Sequence, residues 1–374
     1  MPESERTRSV APPMPKRRHV ASLLGALPML GACGGPGGAL GGGPYHLGPA
    51  SDHFDGGRFF NPGGEGPRGF AQLLRWQLGG RGEAWPDSYP SPHPRDRPPR
   101  RLEGPGVRVS FVGHATFLVQ GGGLNVLIDP VWSERASPLA FAGPRRRNPP
   151  GVAFDDLPPI DAVLVSHAHY DHLDIRALAR LWARDRPRII APLGNDAIVR
   201  GHDAAIAVTT ADWGDTLPLG PGAAVSLVPV HHWSSRGVGD RNAALWAGFV
   251  LEMAGAKVFF AGDTGFDGGR PFRGVAGRHG PPDLALLPIG AYEPRWFMAP
   301  QHMDPDEAVR GFGLLGAREA LGYHWGTFRL TDEGIDRPAS DLTAALDAHG
   351  VDRGRFTAVR PGFVWSRGAA GAPA

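Results

Sequence analysis

The segment Ser166-His167-Ala168-His169-Tyr170-Asp171-His172 follows directly on the apolar run 162–165. Three imidazoles and a carboxylate stand within the six positions 167–172. A place in the core explains one such histidine, not four ligand-type residues in a row. Imidazole is a preferred nitrogen ligand of zinc, and carboxylate oxygen suits zinc, manganese or iron. Alternate spacing sets His167 and His169 on one side of the chain. Asp171 and His172, after the chain turns, can face a second ion. The segment therefore reads as a metal-binding loop at the end of a buried strand.

Other reactive residues fall at similar places. The β-type runs expected are 107–111, 117–119, 124–128, 162–165, 188–191, 225–230, 248–251, 258–261, 284–288 and 319–323, the last being the least strand-like. His114, the 167–172 loop, His231 with His232, Asp263 and His324 each stand just beyond one of these runs. Layered α/β folds build their sites at such strand ends. Asp263 alone, in Ala261-Gly262-Asp263-Thr264-Gly265, reads as an Asx-turn. Beside the histidine loop it reads as a carboxylate bridging two ions. Spacing leaves His231 and His232 equivalent. Helices are expected over 69–78, 174–184 and 304–315. The last has Asp304 as N-cap, Pro305 at its first position and Glu307 at its third, a strong start signal. The fold class expected is α/β, a layered sandwich.

Composition narrows the chemistry. There is one cysteine, Cys33, so an intramolecular disulfide and a cysteine-based zinc site are both excluded, whereas there are 15 histidines. Net charge is only +2, which gives no polyanion-attracting field and argues against a nucleic-acid partner. Gly and Pro are about a quarter of the chain, near the level of low-complexity sequence, but 41% hydrophobic residues argue for a folded body.

The residues also suggest four regions. In 1–33, the basic cluster Lys16-Arg17-Arg18-His19 precedes an uncharged run, 20–32, too short to span a bilayer. Its end, Leu30-Gly31-Ala32-Cys33, resembles the lipobox of bacterial lipoproteins, in which the cysteine is lipidated. That reading implies an exported, membrane-anchored protein on the periplasmic face; the alternative is a disordered tail on a cytoplasmic protein. Residues 34–105 read as a Gly/Pro-rich linker and docking extension, with Phe54, Phe59 and Phe60 suggesting where it docks. A hydrolase domain is expected over 106–367, and a tail over 368–374.

Taken in order, His167-x-His169-x-Asp171-His172, His232, Asp263 and His324 resemble the signature of the metallo-β-lactamase superfamily. Further segments are similar to the N-acylphosphatidylethanolamine-hydrolysing phospholipase D family. They are His53 to Pro62, Gly113-His114-Ala115-Thr116, Leu127-Ile128-Asp129-Pro130-Val131-Trp132, His232-Trp233, Tyr292 to Met298, Gln301-His302-Met303-Asp304-Pro305 and His324-Trp325-Gly326-Thr327-Phe328. The resemblance implies an αβ/βα four-layer sandwich with two divalent metal ions, most simply Zn2+. His167, His169 and His232 would bind one ion, Asp171, His172 and His324 the other, and Asp263 would bridge. His232 rather than His231 is then the ligand.

A two-metal site activates water and clamps phosphodiester oxygens without a protein nucleophile. Asp171, Asp263 and His302 are thus the expected catalytic residues, with His302 near the phosphate or the leaving alkoxide. His114 and Gln301 are expected behind the ligands or against substrate. Arg145, Arg146 and Arg147 read as a solvated loop. Trp132, Leu139, Phe141, Trp296, Phe297 and Met298 are candidates for an acyl groove, each with core as the simpler reading. The expected partners are a phospholipid and a membrane surface, and the expected products are phosphatidic acid and an N-acylethanolamine. The alternatives are a related hydrolase of lactones or soluble phosphodiesters, or a silent lipid-anchored binding protein.

Overall fold

The computed structural model describes residues 45–80 and 82–368. Two seven-stranded sheets face each other. The first contains β1 (Val107–Gly113), β2 (Thr116–Gly121), β3 (Leu124–Ile128), β4 (Ala162–Leu164), β5 (Arg188–Pro192) and β6 (Val208–Ala211). The second contains β7 (Thr216–Gly220), β8 (Ala223–Val228), β9 (Gly248–Met253), β10 (Ala256–Phe260), β11 (Leu284–Pro288), β12 (Glu319–Tyr323) and β13 (Phe356–Ala358). A last strand, β14 (Val364–Arg367), returns to pair antiparallel with β1.

Each sheet is half antiparallel and half parallel. β1, β2 and β3 form a meander; β3 to β6 run parallel. In the second sheet β7 to β10 alternate, and β10 to β13 run parallel. The β2–β3 turn is Gly122-Gly123, with φ of 54° and 76°. A type I′ hairpin turn has positive φ at both central positions, which matches strand twist, and glycine adopts it without a Cβ clash.

Side-chain alternation assembles the layers. Val126 and Ile128 of β3 point into the inter-sheet core with Phe249, Phe260 and Leu286 of the other sheet. Leu127, between them, faces α2 (Ile175–Asp185) through Leu178 and Leu181. On the far side Phe259, Ala285 and Leu287 pack on α4 (Arg270–His279) and α6 (Pro305–Leu315) through Phe272, Val275, Ala308 and Phe312. The order is helix, sheet, sheet, helix, the metallo-β-lactamase sandwich. Burying one side chain such as Phe249 contributes about 1.5–3 kcal/mol. Among the described residues no helix is long and apolar enough to cross a membrane.

Local signals account for the helix starts. Asp304 accepts from the Glu307 N–H at 2.9 Å, and the Glu307 carboxylate returns to the Asp304 N–H at 3.2 Å. Asp174 caps α2 by accepting from the N–H groups of Arg176 and Ala177. α1 (Phe70–Leu78) lies in the extension, which runs against the sandwich over 45–80 and 82–105. There Phe54 and Phe59 are buried with Val230, Leu245 and Trp246, whereas Phe60 is exposed. Cys33 and the suggested export signal lie outside the described residues.

Candidate metal centre

Strand ends aim the donors into one cleft. His114 follows β1, Asp129 follows β3, and His324 follows β12, with φ of 57°, 41° and 70°. Left-handed backbone at a non-glycine residue costs about 1–3 kcal/mol and collects at functional sites. Beyond β4 the chain turns tightly: the N–H groups of His172 and Leu173 both donate to the His169 carbonyl, at 3.1 and 2.8 Å. That turn separates the pair His167 and His169 from the pair Asp171 and His172.

All seven residues named from the sequence as ligands meet in the interior. His167, His169, His232 and Asp263 form one group of donors within 4.8 Å of one another, and His114, Asp171, His172 and His324 form another. The carboxylate oxygen Oδ2 of Asp263 reaches both sets. It is 3.9 Å from His167 Nε2, 3.8 Å from His232 Nε2, 3.1 Å from His172 Nε2 and 3.2 Å from His324 Nε2. Asp171 Oδ2 is 3.6 Å from His172 Nε2 and 3.3 Å from His324 Nε2.

Three of the outer nitrogens are already engaged. His172 Nδ1 meets Asp129 Oδ2 at 2.7 Å, His232 Nδ1 meets the Gln301 carbonyl at 3.0 Å, and His167 Nδ1 meets Ser166 Oγ at 3.0 Å. A carboxylate or carbonyl on Nδ1 fixes the proton there and leaves the Nε2 lone pair facing inward, the tautomer a metal needs. His167 Nε2 and His169 Nδ1 then approach to 2.8 Å, and His232 Nε2 lies 3.3 Å from the same Nδ1. Burial, reinforced by nearby imidazoles, pushes His167 well below its ordinary pKa and both His169 and His232 down to about 3. Three neutral imidazoles with converging lone pairs suit a divalent cation, and the Asp263 Oδ1 atom is buried without a hydrogen-bond partner. The residues fit a metal.

The other set shows the same demand for positive charge. Burial would raise Asp263 and Asp171, yet neighbouring imidazoles, His172 foremost, hold both carboxyls well below the usual range. In return, against the effect of burial, Asp263 and Asp171 hold His172 well above its ordinary value and His324 up to about 9. Binding of a divalent ion meets this demand and releases protons.

Geometry separates His231 from His232. His231 Nε2 donates to the Glu65 carbonyl at 2.8 Å, and its Nδ1 lies 3.2 Å from Asp267, so this ring faces the extension. Asn61 of the extension donates to the His232 carbonyl at 2.8 Å. His114 Nε2 is 2.8 Å from Asp171 Oδ2. His302 is buried, with Nδ1 unpartnered, and its donor atom falls within 4.8 Å of those of Asp263 and His324. Gln301 acts through its backbone on His232, and its side-chain oxygen has no partner.

Two expectations are corrected. The 145–147 run is not a solvated loop throughout: Arg146 is buried, donates to the Val131 carbonyl at 2.8 Å and lies over the Phe328 ring. Only Arg145 of the three is exposed. For the apolar groove candidates the simpler core reading holds at Phe297 and Met298, which are buried, and is corrected at Phe141 and Trp296, which are exposed. Asp129 was missed as a site residue. Besides His172 it accepts from the Ser166 N–H and hydroxyl at 2.7 and 2.6 Å. A lone Asp before Pro130 reads as a turn; its place after a buried strand was the available signal.

Fold and site together define a metal-dependent hydrolase. The family described as the Beta-lactamase superfamily domain matches residues 124–325, and the chain belongs to this metallo-β-lactamase superfamily. It is 39% identical over 273 residues to N-acyl-phosphatidylethanolamine-hydrolyzing phospholipase D 1 of Caenorhabditis elegans, covering 70% of this chain and 76% of that one. It is 35% identical to the mitochondrial N-acyl-phosphatidylethanolamine-hydrolyzing phospholipase D of Saccharomyces cerevisiae, over 62% of this chain and 50% of that one. Among solved structures, a metallo hydrolase of the archaeon Ignicoccus hospitalis matches 70% of this chain and 98% of its own, with a TM-score of 0.51 and 20% identity, a likeness of fold.

Proposed function

We propose that this chain is a binuclear phospholipase D-type phosphodiesterase. It cleaves N-acylphosphatidylethanolamine-like lipids on the headgroup side, giving phosphatidic acid and an N-acylethanolamine. The observation that carries the binuclear part is the single Asp263 oxygen lying between 3.1 and 3.9 Å from four imidazoles of two donor sets. His167, His169 and His232 hold one ion, Asp171, His172 and His324 the other, zinc being the metal proposed. Bound there, a pair of divalent ions acidifies water and offsets charge on phosphoryl oxygens. The protein does the rest. Asp129, His114 and the Gln301 carbonyl set ring and carboxylate orientations, and His302 offers a buried imidazole to a phosphate oxygen or the leaving alkoxide.

The lipid assignment is supported by the two phospholipase relatives and by the apolar surface beside the site. α1 exposes Phe70, Leu74 and Leu78 at 59%, 47% and 78%, spaced four apart and so along one face. Its Trp76 packs on Phe297, with ring centroids 5.0 Å apart, three residues before Pro300 and the Gln301-His302 pair. This face suits a bilayer surface.

Hydrolysis in oxygen-18 water tests the reaction. Attack at phosphorus places the label in phosphatidic acid. Label in the ethanolamide alcohol, or free fatty acid as the main product, rejects the proposal while leaving the metal centre standing.

Membrane attachment through a lipidated Cys33 is part of the proposal. Acylation contributes about 0.8 kcal/mol per buried methylene. Cys33→Ser is expected to release the protein into a soluble fraction or leave an unprocessed precursor. An unmodified, intact N-terminus on native protein, read by mass, contradicts the anchor.

A further inference from the structure

Arg236 lies four residues beyond His232, yet its side chain reaches the other ligand loop. Its Nη1 donates to the Ala168 carbonyl at 2.9 Å and the Leu173 carbonyl at 2.8 Å. Ala168 separates His167 from His169, and Leu173 follows His172. The two carbonyls therefore bracket three of the loop's four donors, and His167 stands one residue before the first of them. The guanidinium lies 4.0 Å over the Tyr170 ring, and the Tyr170 hydroxyl donates back to the Arg236 carbonyl at 2.9 Å. Asp240 anchors the near end by accepting from the Arg236 N–H at 3.1 Å.

These contacts close a ring of interactions between two chain segments that approach the site from different sheets. His232 is carried on the loop after β8, and His167 and His169 on the loop after β4. The pairing of the sheets does not join those loops, and between them the backbone contributes one hydrogen bond, from the Ala247 N–H to the Ser166 carbonyl at 3.0 Å, at the far end of the loop after β8 from His232. A planar cation that stacks on an aromatic face while donating to carbonyls is held in one orientation, which an ammonium on a flexible stem does not reproduce. Among the described residues the Arg236 side chain donates to loop carbonyls and not to a donor atom, so its effect on the site passes through the loop.

We propose that Arg236 is a positioning residue that sets the spacing of His232 against His167 and His169 by clamping the loop carbonyls at Ala168 and Leu173. This rests on the metal-centre reading above and not on the identity of the substrate. Partners behind a metal's ligands typically contribute 10–100-fold in affinity.

The test uses cobalt(II) as probe in the full chain, with affinity from chelator competition and geometry from the visible absorption of the bound ion. Arg236→Met is expected to bind at least one cobalt equivalent about tenfold more weakly, with an altered spectrum. Arg236→Lys should recover part of the affinity but not the spectrum. Circular dichroism and the urea midpoint of the metal-free variants report the fold separately. Folded Arg236→Met with wild-type affinity and spectrum overturns the proposal. Should that variant not fold, Tyr170→Leu removes the stacking surface and the hydroxyl bond to the Arg236 carbonyl while leaving the guanidinium in place, and unchanged cobalt affinity and spectrum in it overturn the proposal equally. Wild-type protein that binds no cobalt would instead reject the metal centre itself.

Discussion

Asp263→Asn is expected to lower divalent-metal affinity at both donor sets by more than about 100-fold, beyond the 10–100-fold typical of residues behind the ligands. Hydrolysis should fall with metal occupancy. The reason is charge at a shared position. One oxygen of Asp263 faces His172 and His324 on one side and His167 and His232 on the other. An amide keeps the shape but removes the anion that balances two cations. Elemental analysis and chelator competition read the effect. Loss confined to one equivalent, with the other at wild-type affinity, would make Asp263 a ligand of a single ion.

The strand ends that carry the donors were largely legible in the sequence. β3, β11 and β12 begin and end where the apolar runs do, because strands buried on both faces read as continuous hydrophobic segments. β12 was the least strand-like of them, since Glu319, Ala320 and Gly322 are poor strand formers; pairing with β11 and β13 overrides that weak local preference. The unread strands are of another kind. β7 is half-exposed and carries Pro218 at the edge of its sheet, and β6 is a four-residue edge. β14 is assigned to the first sheet only by a contact more than two hundred residues distant in the chain. α4 contains Gly274 and Gly277, both poor helix formers, and it is held by packing of Phe272 and Val275.

Within the site, residue type and order were visible, and orientation was not. The His231-His232 pair shows the difference. Spacing leaves the adjacent rings equivalent and the resemblance alone favours His232; in the structure they point opposite ways, His232 held by the Gln301 carbonyl and His231 by the Glu65 carbonyl and Asp267. Asp129 stands in one of the matched segments but carries no role there, because its role lies in its distance from His172, set by the pairing of β3 with β4. Arg146 illustrates the converse: a run of three arginines signals solvent, but a guanidinium can be buried where carbonyls and a ring receive it.

His302→Ala is expected to reduce kcat by about 100-fold, the lower end of what a positioned proton-transfer group contributes, with metal content unchanged. Its ring is buried, 5.2 Å from the His232 ring and 5.5 Å from that of His324. Burial pushes it down to about 3, so the imidazole is neutral at pH 7 and has one N–H and one lone pair to offer. Steady-state kinetics with elemental analysis separates two roles. A lost metal equivalent in His302→Ala would identify it as a ligand, which its distance to Asp263 and His324 permits.

Two donor sets sharing Asp263 are proposed here to hold a pair of ions. Titration of metal-free protein with zinc, followed in parallel by elemental analysis and by phosphodiester hydrolysis, tests it most directly. The account predicts two zinc ions per chain, with full hydrolysis reached only as the second is bound. One tightly bound ion per chain with full hydrolysis would contradict it.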